Sequence, residues 1–146
     1  MAKIVSTNAQ IIVGTTPTDL SDWCKQVTVD WGQETRDIST FTTGTPMRLY
    51  RSGAQTATIE ATFYCDHAAG GPEAILRAHV LGTSDTGFPV NCRPVNGAVT
   101  ATNPMFAGTA IYDGALTVLN DEFGEVAEIT ARFLPYSAWE VTTTAT

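Results

Sequence analysis

Apolar and polar side chains alternate along much of the chain, the two-residue period of strands with one buried face. Between Ala54 and Tyr64, Ala57, Ile59, Ala61 and Phe63 fall on one side and Thr56, Thr58, Glu60 and Thr62 on the other. From Glu125 to Phe133 the same alternation sets Ala127, Ile129, Ala131 and Phe133 against Val126, Glu128, Thr130 and Arg132. Val27, Val29 and Trp31 alternate with Thr28 and Asp30, and another strand is predicted from Met105 to Tyr112. Asp113-Gly114 follows it as a hairpin signal, because a tight turn needs positive φ, and the next strand is expected over Ala115 to Leu119. Asn96-Gly97 is a second such signal.

A helix is predicted over residues 72–81. Gly70-Gly71-Pro72-Glu73 opens it, with proline preset for a first helical position and a carboxylate at the positive end of the dipole; Gly82 stops it. Ile75, Ala78 and His79 are expected to share its inward face. Many strands and one short helix predict a mainly β fold, an antiparallel β-sandwich or barrel with a single covering helix.

Three segments carry little core material. Residues 42–53 form an expected inter-strand loop, longer than a hairpin needs, that holds Met47, Leu49 and Tyr50. Residues 1–8 and 141–146 are expected to be extended terminal arms. With 146 residues the chain fits one domain, 1–146, around one core. Charged residues are only 16% and hydrophobic ones 43%, which argues against disorder and long charged helices. No run of about 20 apolar residues is present and the start lacks an apolar leader, so no membrane association and synthesis in a cytosol are expected.

Formal net charge is −7, which disfavours a protein that grips nucleic-acid phosphates. Cys24, Cys65 and Cys92 are an odd set without CxxC spacing, expected as reduced thiols in the core. Cys65, Asp66, His67, His79 and Cys92 could supply zinc ligands, but their spacing matches no recurrent zinc motif. The serines lack a Gly-x-Ser-x-Gly elbow, and Gly70-Gly71-Pro72 lacks the lysine of a phosphate loop. Neither an enzyme nor a bound cofactor is expected.

Charge placement carries more. Arg48 and Arg51 make the long loop locally basic, since no acid occurs between Asp37 and Glu60. Asp121, Glu122 and Glu125 form an acidic turn of opposite sign. Both could be ordinary solvated loops. The sharper expectation is that Met47, Arg48, Leu49, Tyr50 and Arg51 meet that acidic turn on another copy of the chain and set a stacking register.

The order of these elements resembles a known family. Asp19-Leu20-Ser21-Asp22-Trp23, a strand, and then Glu34-Thr35-Arg36-Asp37-Ile38-Ser39-Thr40-Phe41 resembles the opening of the major tail tube proteins of long, flexible-tailed bacteriophages. Arg48 to Gly53 leading into Gln55 to Tyr64, a short helix, Ala107-Gly108-Thr109-Ala110 and a last alternating strand continue the likeness. Trp31 and the cysteines depart from it.

The resemblance implies a virion structural protein whose subunits close into hexameric rings, stacked into a hollow tube for genome ejection. It also implies partners in the tape measure, terminator and baseplate proteins, with DNA only in transit. Thr58, Glu60, Glu128 and Thr130 are then the expected lumen-facing residues, because carboxylates and hydroxyls would leave DNA free to slide. Competing readings are a tail terminator or head-tail joining ring, and a sandwich that binds carbohydrate or a host surface.

Overall fold

The computed structural model describes residues 9–39, 48–81, 87–117, 119 and 123–144. The expectations on residues 1–8, Met47, Asp121, Glu122 and residues 145–146 lie outside them. The strands are β1 (Gln10–Val13), β2 (Thr18–Asp19), β3 (Cys24–Asp37), β4 (Tyr50–Tyr64), β5 (Phe88–Arg93), β6 (Met105–Tyr112), β7 (Glu128–Pro135) and β8 (Glu140–Thr142). One helix, α1 (Pro72–Val80), and a 3-10 turn at Ser21–Trp23 complete the set.

The strands form one antiparallel sheet in the order β2-β1-β5-β6-β7-β4-β3, with β8 beside β6. Inward residues of β1 and β5 (Ile11, Val13, Phe88, Val90, Cys92) share one core with those of β4 and β7 (Ala57, Ile59, Ala61, Phe63, Ile129, Ala131, Phe133). The sheet therefore folds over on itself as a sandwich, and the period-two alternation of β4 and β7 is what gives each strand its dry side. Phe133 is at the centre, edge-on to both Phe88 and Tyr112.

Strand β6 joins the two halves. Its Phe106–Ala110 pairs with β5, and its other edge is divided, Ala110–Tyr112 pairing with β7 and Met105–Ala107 with β8. Between β7 and β8 the chain bulges outward for residues 136–139. Thr109 gathers the bulge, its carbonyl accepting the Tyr136 amide at 3.0 Å and the Trp139 indole N–H at 2.9 Å. Trp139 packs against Gly108, where any Cβ would overlap the indole.

No strand forms over the described residues 115–117 and 119. One edge at the end of β6 is taken by β7, which pairs with Ala110–Tyr112. The Asp113 amide instead donates to the Arg132 carbonyl at 2.8 Å, and Gly114 takes its positive φ of 82° as the chain leaves the sheet. Asn96-Gly97 likewise makes no tight hairpin. The β5–β6 connection, residues 94–104, is organised by Asn103, whose side chain bonds Val95 at both amide and carbonyl and the Ala98 carbonyl.

Other boundaries also move. Tyr50–Gly53, expected in the loop, belong to β4, which runs for 15 residues. Val141 and Thr142, expected in an arm, are held in β8. The last long strand spans Glu128–Pro135 and not Glu125–Phe133. Helix α1 opens at Gly71 and buries Pro72, Glu73 and Leu76. That is a rotation of about 100° from the expected face of Ile75, Ala78 and His79, and it leaves Ala78 exposed.

Candidate assembly surface

Strands β3 and β4 are far longer than the body that supports them. They pair from Cys24↔Phe63 to Asp37↔Tyr50, with irregularities at Cys24/Gln26 and Gln33/Thr35. The next strand, β7, pairs with β4 only from Ile59 to Tyr64. Beyond Ile59 the two strands continue as a ribbon of about 30 Å with no third strand among the described residues. Residues from Asp30 to Ser39 are exposed throughout.

The ribbon's end is closed locally. The Ile38 amide donates to the Leu49 carbonyl at 3.0 Å, and the Leu49 amide donates to Ser39 Oγ at 2.8 Å. The Ser39 hydroxyl and amide, with the Arg48 guanidinium, hold the Asp37 carboxyl below its ordinary range. Arg48 Nη1 reaches Asp37 Oδ2 at 3.1 Å, so this cation already has an acid on its own chain. Arg51 lies opposite Arg36 across the ladder, and Arg36 is 3.5 Å from Glu34. Ile38, Leu49 and Tyr50 leave large apolar side chains in water, Tyr50 at 58% exposure. Glu125 is exposed in the turn before β7.

Thr58, Glu60, Glu128 and Thr130 share the outward face of β4 and β7, because their neighbours in each strand face the core. This face is less acidic than those residues alone suggest. Lys25 Nζ lies 2.8 Å from Glu128 Oε1, and the carboxylate raises the lysine pKa through that hydrogen bond. Glu60 is opposite Arg132, which in turn meets Asp113 at 3.4 Å. Thr62 and Thr130 hydroxyls are 3.3 Å apart. Strand alternation had already put Thr62 and Arg132 on this side of β4 and β7, whereas Lys25 was missed in the sequence and reaches the face beside the irregularity at Cys24.

The residues considered as zinc ligands are dispersed. Cys92 is buried in β5, which pushes its thiol pKa up to about 12. His79 stacks on the Phe88 ring at 4.1 Å, while Cys65 and His67 stay together at the opposite end of α1. Among the described residues no group of three or more His, Cys, Asp or Glu side chains is placed to hold a metal ion. No described helix is long and apolar enough to cross a membrane.

No protein-family model matches the chain, and no curated protein matches it. Solved structures do resemble it. A chain in the virion of a native gene transfer agent particle matches with a TM-score of 0.71 at 12% identity, over 97% of this chain and 100% of that one. A chain in the tail of an empty gene transfer agent particle, refined helically with C6 symmetry, matches with the same TM-score, identity and coverage. A chain of the anti-feeding prophage baseplate, 6-fold symmetrised, matches with a TM-score of 0.65 at 12% identity, over 98% of this chain and 97% of that one. At such identity the likeness establishes a shared fold.

Proposed function

We propose that this chain is a structural subunit of a phage-type tail, closing into six-membered rings that stack into a tube through which a genome leaves the particle. The observation that carries the reading is the ribbon: a 14-residue strand, β3, at the border of the sheet, extending well past its support. A two-stranded ribbon is marginal in water, and a long unpaired border is an aggregation hazard unless another chain completes it. Head-to-tail pairing of identical copies closes such borders into a ring. The full-length fold likeness to a chain in a C6-symmetric tail supports the same arrangement.

In this arrangement the outward face of β3, β4 and β7 lines the channel. Lys25 and Arg132 each face a carboxylate, which offsets their attraction for phosphate, so DNA meets hydroxyls and neutralised pairs and can slide. Leu49, Tyr50 and Arg51 contact the next ring, and the tape measure, terminator and baseplate proteins are the remaining partners. The role is structural and not catalytic, and its place is the virion.

Negative-stain microscopy of concentrated purified protein tests the proposal. Long tubes with six-fold cross-sections are expected; monomers at every concentration and salt would overturn it. The baseplate likeness favours a second reading, a ring that ends a tail without polymerising, which the same images would reveal as single rings.

A further inference from the structure

The segment leaving β4 assembles a thiol, an imidazole and a buried carboxylate in sequence. Cys65 is fixed by its amide, which donates to the Ala127 carbonyl at 2.9 Å and extends the β4–β7 ladder. Its Sγ lies 3.5 Å from His67 Nε2, and His67 Nδ1 lies 3.1 Å from Glu73 Oε2. The other Glu73 oxygen meets Arg77 Nε at 3.2 Å, one helical turn on, and the carboxylate is only 2% exposed. Cys65 itself is half-buried, and the imidazole is 53% exposed.

The chemistry of this chain is directional. A carboxylate only accepts hydrogen bonds, so Glu73 requires the proton on His67 Nδ1 and leaves Nε2 to face the sulfur. That is the order of nucleophile, base and orienting acid by which thiols are activated. The loop that carries it is tied down by further contacts. Asp66 turns its carboxylate away, accepting the Trp23 indole N–H at 3.0 Å and the Ala68 amide at 2.9 Å. Gly71 packs its backbone against the Asp66 carbonyl, where an added Cβ would lie 2.5 Å from the oxygen. Glu128, opposite Tyr64 in the ladder, is paired with Lys25.

We propose that Cys65 is a nucleophilic thiol that exchanges with small disulfides, with His67 as its base and Glu73 as the positioning residue. The Cys65 proton passes to His67 Nε2 and the thiolate attacks one sulfur of the incoming disulfide. A Cys65 mixed disulfide forms, the original S–S bond breaks, and the departing thiolate takes the proton from the imidazolium. No other oxidant is required, because the disulfide is reduced as the cysteine is oxidised. Cys24 and Cys92 serve as internal references, since burial raises the pKa of both thiols.

The test is the rate of thiopyridone release from dithiodipyridine by the folded chain, with the modified cysteine located by peptide mass. A fast phase confined to Cys65 is expected, at least about 10-fold above Cys24 and Cys92, and absent in Cys65→Ser. Without the imidazole, thiolate falls about 10-fold per pH unit below the thiol pKa, so His67→Asn should lose rate steeply from pH 8 to 6 while the natural chain loses far less. His67 is largely exposed, so its replacement leaves the core intact. Oxidised glutathione should add one glutathione at Cys65. Superimposable pH profiles for the natural chain and His67→Asn, or a fast phase that survives Cys65→Ser, would overturn the proposal.

Discussion

Glu60 on β4 lies directly across the ladder from Arg132 on β7, and both point away from the core. Reversing Glu60 to lysine therefore sets two cations opposite each other, which costs about 0.2–1 kcal/mol. Glu128→Lys does the same against Lys25. The double variant should still fold and polymerise, with a slightly lowered urea midpoint, but should slow genome release through the tube. Release at the normal rate would reject the lumen placement of this face.

Arg51 and Arg36 are also opposite each other, a like-charge pair across β3 and β4. Arg51→Glu converts it to an attractive pair, so the isolated subunit should melt at the same or a slightly higher temperature. If Arg51 contacts the next ring, tube growth is lost all the same. Melting curves and sedimentation velocity on one preparation separate the two effects; full-length tubes from a stable variant would remove Arg51 from the stacking contact.

The contact of Gly108 with Trp139 has no room for a methyl group. Gly108→Ala must lift the indole off β6, break its hydrogen bond to the Thr109 carbonyl and disturb the bulge between β7 and β8. Overpacking of this kind costs about 1–3 kcal/mol. Urea unfolding followed by tryptophan fluorescence reads both the loss and the altered indole environment, and an unchanged midpoint would contradict the packing described.

Burial against Phe88 lowers the His79 pKa below its ordinary 6.5. The neutral ring is the folded form, so the unfolded chain binds more protons between the folded value and 6.5. The stabilisation is complete above pH 6.5 and is lost as pH falls through the lower folded value. Melting temperature should fall on acidification across that window. His79→Phe preserves the stack and should weaken the dependence; an equal slope in both proteins would assign it elsewhere.

In the proposed ring six subunits of net charge −7 would repel one another, so its assembly would have to draw on buried apolar surface at the ribbon. Salt shortens the screening length to about 8 Å at 0.15 M without weakening that burial. Light scattering should show polymerisation increasing with salt, and the reverse would place charge pairs such as Arg51 with Glu125 at the centre of assembly.

Which side of β4 and β7 is dry could be read from the residues alone. Ala57, Ile59, Ala61 and Phe63, and likewise Ile129, Ala131 and Phe133, repeat every second position, and all are buried. The same alternation put Thr58, Glu60, Glu128 and Thr130 on the opposite face. Helix α1 was marked by Pro72 and Glu73, because capping preferences act within one turn. The ribbon was only half visible. Tyr50–Gly53 join β4 through main-chain bonds to β3, and such bonds are indifferent to side chains.

Amino-acid order by itself determined the period and dry face of β4 and β7 and the place of the helix, each a property of residues a few positions apart. Tertiary structure alone decided where edges are shared. It divided one side of β6 between β7 and β8. It brought Lys25 to Glu128 across 103 positions, and through the turn after β4 it aligned Cys65, His67 and Glu73. Pairing of edges and meeting of charges depend on which surfaces the folded chain has already used, and no local pattern records that.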